Sequence, residues 1–191
     1  FYSFLLIKDI SQPINFSVPT GNFGDVYAGY LAKKMGLPIN KLLVATNQND
    51  ILHRAISKGE YSVEKVSETI SPSMDIQLAS NFERLLYDVN NHNDIETASA
   101  MIDIKKKGKY IIDKEKLGKI NADFLSARIS QEEILKTIKD VYDKHKTILD
   151  PHTAIGYHAF DKVNLKGNNI VLATAHPCKF PDAIKKSINQ N

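Results

Sequence analysis

The segment Ser17-Val18-Pro19-Thr20-Gly21-Asn22-Phe23-Gly24-Asp25 constrains the fold more than any other part of the chain, because it reads as a strand that runs into a glycine-bearing loop and opens a helix. Upstream, Ile14, Phe16 and Val18 alternate with Asn15 and Ser17, which is strand periodicity, and Pro19 closes the run. From Asp25 to Met35 the pairs Val26/Tyr30 and Tyr27/Leu31 recur at i, i+4. Lys33 and Lys34 fall in the last turn, and Gly36 with Pro38 stops the helix. Leu42-Leu43-Val44-Ala45 is a continuous apolar run, as a parallel strand buried on both faces requires. These elements predict a β-loop-α-loop-β unit. Right-handed crossovers then give an α/β fold, an open twisted sheet of mainly parallel strands with helices on both faces.

The loop also has a chemical reading. Glycines let successive backbone N–H groups converge on an anion without Cβ obstruction, and a helix N-terminus adds unpaired N–H groups and partial positive charge. The residues Thr20 to Asp25 lack the Gly-x-Gly-x-x-Gly of dinucleotide sites and the terminal Gly-Lys-Ser/Thr of a P-loop, which disfavours a nucleotide. What remains is a nest for one phosphate or carboxylate, or equally a plain tight turn. Asp25 opposes an anion unless its side chain turns back to cap the helix.

Further along, a third buried strand is expected at Ile170 to Ala173. The interval before it is mostly helical, with helices near Asp50 to Lys58, Asn81 to Val89, Asp94 to Lys106, Ser130 to His145 and His152 to Val163; a last one follows at Pro181 to Ile188. The helix after Ser130 carries a capping box, Ser130-x-x-Glu133, and an apolar stripe at Ile134, Ile138, Val141, Tyr142 and His145. Gly108 to Asp113 suggests a short edge strand. Phe1, Tyr2, Phe4, Leu5 and Ile7 resemble the last turns of a buried helix without an N-cap, which implies sequence upstream. Asn47-Gln48-Asn49-Asp50 lies at the carboxyl end of the second strand, where open α/β sheets place ligands, although Asn49 or Asp50 capping the next helix explains the polarity more simply. Thr174, after the third strand, could present its hydroxyl in the same crevice, and threonine is also an ordinary strand residue. Asp150-Pro151-His152-Thr153 reads as a turn into a helix. No metal site and no hydrolytic nucleophile motif is expected.

Composition narrows the class. With 191 residues, 42% hydrophobic and 25% charged, the chain suits one soluble domain. Its apolar runs are far shorter than the ~20 residues that span a bilayer, and no secretory signal opens it. Cys178 is alone, which rules out an intrachain disulfide and fits a reducing, cytoplasmic setting. The net charge of +3 comes from lysines interleaved with Asp and Glu, and only Arg54, Arg84 and Arg128 represent arginine, so a nucleic-acid groove is not expected. Lys105-Lys106-Lys107 reads as a helix end.

Seven segments together carry a family resemblance: Ser17 to Asp25, Gly29 to Pro38, Ala45 to Leu52, Ser71 to Ile76, Ser80 to Leu86, Leu149 to Ala154 and Ala173 to Pro177. In this order they resemble the later part of the threonine synthases, pyridoxal-phosphate enzymes with the tryptophan synthase β-like fold (fold type II). The resemblance implies that residues 1–191 form a single C-terminal portion of the large cofactor-binding domain, with a helical insertion at roughly 60–165. It implies that Gly21, Asn22, Phe23, Gly24 and Asp25 surround the cofactor phosphate and that Thr174 faces the pyridine nitrogen. Family activity would be conversion of O-phosphohomoserine and water to threonine and phosphate. The family's Schiff-base lysine lies in a Ser/Ala-Phe-Lys-Asp stretch upstream of the glycine loop, and nothing here matches it; Lys8-Asp9 stands too close to the loop, in what reads as the buried helix end. The isolated chain is therefore expected to be inactive, to work with a missing N-terminal portion, or to self-associate through an exposed sheet edge. The alternative is a non-catalytic remnant that binds phosphate or pyridoxal phosphate.

Overall fold

A computed structural model describes residues 1–188. The elements run α1 (Tyr2–Leu5), β1 (Ile14–Pro19), α2 (Gly24–Lys34), β2 (Lys41–Thr46), α3 (Ile51–Lys58) and β3 (Glu60–Ser62), then a 3₁₀ turn at Pro72–Met74. There follow α4 (Phe82–Val89), α5 (Asp94–Lys107), β4 (Lys109–Ile111), α6 (Lys114–Asp123), β5 (Phe124–Arg128), α7 (Gln131–His145), α8 (Pro151–Lys162) and β6 (Asn168–Val171). A second 3₁₀ turn, Pro177–Lys179, leads into α9 (Pro181–Ile188). The main sheet has the order β5-β2-β1-β6, and every pairing in it is parallel. β3 and β4 form a separate antiparallel pair.

Strand alternation sorts the sheet's two faces. Leu42 and Val44 of β2 join the cluster that includes Val26 of α2, Leu52 of α3 and Leu86 of α4; Leu43 and Ala45 join Ile134 and Ile138 of α7 and Ala154 and Ile155 of α8. Helices therefore cover both faces, as the apolar run of β2 requires. In β1 even the polar positions are buried, so each must find a partner. The Ser17 hydroxyl donates to the Gly156 carbonyl at 2.6 Å, and the Asn15 amide donates to Lys166 O and Asn169 Oδ1 at 3.0 and 2.8 Å. Gly156 makes the first contact possible: a Cβ there would stand 3.0 Å from Val171 Cγ1 and 3.1 Å from the Pro19 ring, holding α8 off the sheet.

The capping box of α7 forms in both directions, Ser130 Oγ accepting from Glu133 N while a Glu133 carboxylate oxygen accepts from Ser130 N. Burial opposes the charged Glu133, but the Lys162 ammonium and the Ser130 amide outweigh it and hold its pKa at about 2. Lys105, Lys106 and Lys107 close α5, and β4 occupies the expected edge-strand region.

Four expectations are corrected. The third strand runs Asn168–Val171, two residues earlier than expected and nowhere fully buried, because it is the edge of the sheet; Ala173 and Thr174 lie beyond it and are exposed. A fourth strand, β5, had no counterpart in the sequence reading, since it follows α6 without a turn and mixes Ser126 and Arg128 with apolar residues. Phe1 to Ile7 form one short turn of helix with no buried residue; Phe1, Tyr2, Leu5 and Leu6 are exposed and only Phe4 and Ile7 touch the core, and Lys8-Asp9 is likewise exposed. On α7, Thr137 and not Tyr142 or His145 completes the buried stripe, because the helix turns His145 out to solvent at its last residue.

Candidate functional site

The chain leaves β1 at Pro19 with its backbone still tied to β2, Thr20 N donating to Ala45 O at 2.8 Å. It then bends sharply and enters α2 at Gly24. Phe23 drives the bend. Its φ of 69° is left-handed, a conformation that costs roughly 1–3 kcal/mol for a non-glycine residue. The strain is offset because its ring is fully buried, edge-on to Phe82 at 5.2 Å and tilted against Phe124 at 5.6 Å. Anchored this way, the ring goes into the core and leaves only the backbone of Phe23 for the loop's outer side.

Two glycines let neighbouring segments approach the loop closely. A Cβ on Gly21 would lie 2.7 Å from the Ser73 carbonyl oxygen and 3.3 Å from Met74 Cα, so the 3₁₀ turn closes over this glycine as a lip. A Cβ on Gly24 would lie 3.3 Å from Asn81 Nδ2. Asn22 ties the loop to the start of α4, its Oδ1 accepting from Ser80 N at 2.6 Å and from Ser80 Oγ at 2.9 Å. The helix has no side-chain cap, and the amides of Gly21 to Val26 meet no acceptor among the described residues. A run of unpaired N–H groups at a helix N-terminus is the donor set that an anion binds. Asp25 does not turn back to cap the helix; its carboxylate is exposed in the first turn.

Residues 19–25, Ser73, Met74, Asn81, His152, Thr174 and Ala175 line one cavity of about 300 Å³, within the range of small-molecule sites. Gly21, Asn22, Phe23, Gly24, Asp25 and Thr174 are thus all brought to the same cavity. The sequence reading had not placed Ser73, Met74, Asn81 or His152 there. Their only signal was membership of the Ser71 to Ile76, Ser80 to Leu86 and Leu149 to Ala154 segments.

Asn47 and Asn49 do not reach this cavity. Their side chains hold the segment that carries the lip: Asn47 Nδ2 donates to Thr69 Oγ1, Ser71 Oγ and Asp75 Oδ1 at 3.0, 2.9 and 2.8 Å, and Asn49 Nδ2 donates to Ser67 O and Asp75 Oδ1 at 2.8 and 2.9 Å. Asp50 is the N-cap of α3 by position but makes no cap bond, pairing instead with Arg54 at 2.9 Å. The lip is therefore a built wall. Gly21→Ala should accordingly cost about 1–3 kcal/mol by overpacking against immobile backbone, read as a lowered midpoint in thermal unfolding; an unchanged midpoint would show that the lip yields freely.

His152, in the first turn of α8, lines the cavity beside the lip. Asp150 caps that helix, its Oδ1 accepting from His152 N at 2.9 Å and Thr153 N at 3.3 Å, and its Oδ2 accepting from Thr153 Oγ1. Burial would raise the Asp150 pKa, yet the hydrogen bonds from His152 and Thr153 prevail and hold it below the usual carboxylate range.

A parallel open sheet with a glycine loop at the carboxyl end of an inner strand, leading into an uncapped helix, is an architecture this chain shares with solved fold type II pyridoxal-phosphate enzymes. The family model described as "Threonine synthase, C-terminal" matches residues 153–191. Threonine synthase of Pseudomonas aeruginosa is 43% identical over 98% of this chain and 40% of that protein. Among solved structures, the PLP-bound threonine synthase of Brucella melitensis superposes with a TM-score of 0.95 at 42% identity, covering 99% of this chain and 41% of that one. The yeast enzyme superposes with 0.93 at 41% identity, covering 100% and 42%. The chain corresponds to the C-terminal part of the threonine synthases, and spans about two-fifths of the length of the relatives it matches.

Proposed function

We propose that this chain supplies the phosphate-binding side of a pyridoxal 5′-phosphate site in a threonine synthase, an enzyme that converts O-phosphohomoserine and water to threonine and phosphate. The observation that carries the reading is the convergence of the loop Gly21 to Asp25, whose amides are unpaired, and of Thr174 on one cavity at the start of α2. The donor set fits the group: a phosphate monoester dianion wants several N–H donors and a helix N-terminus, and the uncapped start of α2 supplies both.

When bound, the cofactor supplies an electron sink next to the substrate amine. Gly21, Asn22, Phe23, Gly24 and Asp25 bind its phosphate through backbone N–H groups, and the Asn22 side chain, occupied by Ser80, fixes the loop rather than the ligand. The Asp25 carboxylate, which does not cap the helix, is exposed, so water and salt screen its repulsion of the phosphate. Thr174 offers a neutral hydroxyl to the ring nitrogen; unlike a carboxylate, it does not hold that nitrogen protonated. The lip at Ser73 and Met74 excludes water from the phosphate side.

The working enzyme in this reading is cytoplasmic and needs more polypeptide than these residues. The sheet edge at β6 borders an apolar groove of about 370 Å³ lined by Phe1, Tyr2, Phe16, Leu37, Ile39 and Leu172, a face suited to the rest of the polypeptide that the relatives carry. Self-association through the same edge is the competing use of that face. No helix among the described residues is long and apolar enough to cross a membrane.

Calorimetric titration of the chain with pyridoxal 5′-phosphate tests the binding claim, with saturable uptake expected and no heat of binding overturning it. Phosphate release from O-phosphohomoserine is expected to be absent for the chain alone and to appear on adding the N-terminal portion of a threonine synthase; turnover by the chain alone would overturn the division of labour. Binding without rescue would favour the non-catalytic remnant.

A further inference from the structure

We propose that His152 is a positioning residue that locks the lip over the phosphate cup through one fixed tautomer. The inference rests on the cofactor reading above for its consequence and on geometry for its substance. His152 is 3% exposed and lines the cavity. Its Nδ1 lies 3.0 Å from Asp150 Oδ1 and its Nε2 lies 3.3 Å from Ser73 N. A backbone N–H can only donate, so Nε2 must be the bare, accepting nitrogen and the ring proton resides on Nδ1, donated to the Asp150 carboxylate.

The chain of contacts has a direction. Asp150, fully buried and held as a carboxylate by three further donors, orients the imidazole; the imidazole in turn holds the amide of Ser73. Ser73 is the residue whose carbonyl closes over Gly21. The ring also packs, tilted, against Phe180 with centroids 4.9 Å apart, just after the 3₁₀ turn that follows Thr174 and Ala175. One side chain thus sets the spacing between the lip above the phosphate loop and the segment carrying Thr174. Position 152 makes no hydrogen bond to the glycine loop or its core anchor, so its effect on the loop passes through Ser73 and the Phe180 segment, and Ser73 exchange separates that route from direct contact with a ligand in the cavity it lines.

The test compares the full 191-residue chain as wild type, His152→Gln and His152→Leu. Imidazole ¹⁵N shifts should report the Nδ1–H tautomer in the wild type. The Ser73 amide should exchange with deuterium about tenfold faster in His152→Leu, the effect of losing one hydrogen bond, whereas Gln, whose Oε1 reaches the position of Nε2, should retain the protection. Affinity for pyridoxal 5′-phosphate should follow the same order, falling about tenfold for Leu and within about threefold for Gln. A residue that only stabilised α8 would lower the unfolding midpoint in both variants without separating them at the Ser73 amide. Equal Ser73 exchange in all three proteins, an Nε2–H tautomer, or wild-type affinity in the Leu variant would overturn the assignment. If the wild type binds no pyridoxal 5′-phosphate, the cofactor reading fails by itself, and the tautomer and Ser73 exchange still decide the role of His152.

Discussion

Gly24→Asp is expected to abolish measurable pyridoxal 5′-phosphate binding while leaving the fold as stable as the wild type or slightly more so. Position 24 is the first residue of α2, and its amide and those of Asp25 and Val26 have no acceptor among the described residues. An aspartate there would fold its carboxylate onto these donors, and an acidic side chain in a first helical turn contributes about 0.3–1 kcal/mol. The same carboxylate would take the place of the ligand's phosphate. Its repulsion of each phosphate charge at about 4 Å is worth roughly 1–4 kcal/mol between the aqueous and near-surface limits. Together with the loss of donors, this predicts a fall in affinity of about a hundredfold or more, read by calorimetry beside a thermal melt. Gly24→Ala is the control. Its Cβ would press on the Asn81 side chain at 3.3 Å, a mobile group, so binding should survive with a modest loss. A Gly24→Asp protein that binds as well as wild type would remove the α2 N-terminus from the site.

The core of this site was legible because a few local rules act within about thirty residues. Alternation at Ile14 to Val18, the glycines at 21 and 24 and the helical pairs after Asp25 each follow from local geometry, and β1, α2 and β2 formed where those patterns put them. Phe23 was legible as a loop member but not as the anchor, since a left-handed φ stabilised by Phe82 and Phe124 depends on contacts from distant segments. The lip was not legible for the same reason. Nothing near Ser73 says that its carbonyl will stand above Gly21; that placement is set by Asn47 and Asn49 through Asp75. Those two asparagines follow β2, where open α/β sheets place ligands, but their polarity serves a buried network and not the cavity. β5 escaped because pairing with β2 makes it a strand, not its own composition. β6 shows the converse, an apolar run that suggests an interior strand and lies at an edge.

Asp150→Ala is expected to be the most destabilising single change near the site, costing about 3–5 kcal/mol. The loss of an N-cap accounts for about 0.5–2 kcal/mol. The remainder comes from the two side-chain donors left without an acceptor in a buried place, His152 Nδ1 and Thr153 Oγ1, at roughly 1–3 kcal/mol for each that finds no substitute. Asp150→Asn separates the charge from the cap. Asn keeps an accepting oxygen for the helix amides but has no ionisable group, so it should cost less, about 1–2 kcal/mol. Wild type and Asp150→Asn should also differ with pH. The folded Asp150 carboxyl titrates below its unfolded value near 3.9, so its contribution is fully present above that value and is lost as pH falls through the lower folded pKa. Between about pH 5 and the folded pKa the wild-type melting temperature should therefore drop more steeply than that of Asp150→Asn, narrowing the gap between them. Parallel curves over that interval would mean that the buried carboxylate does not stabilise the fold through its charge.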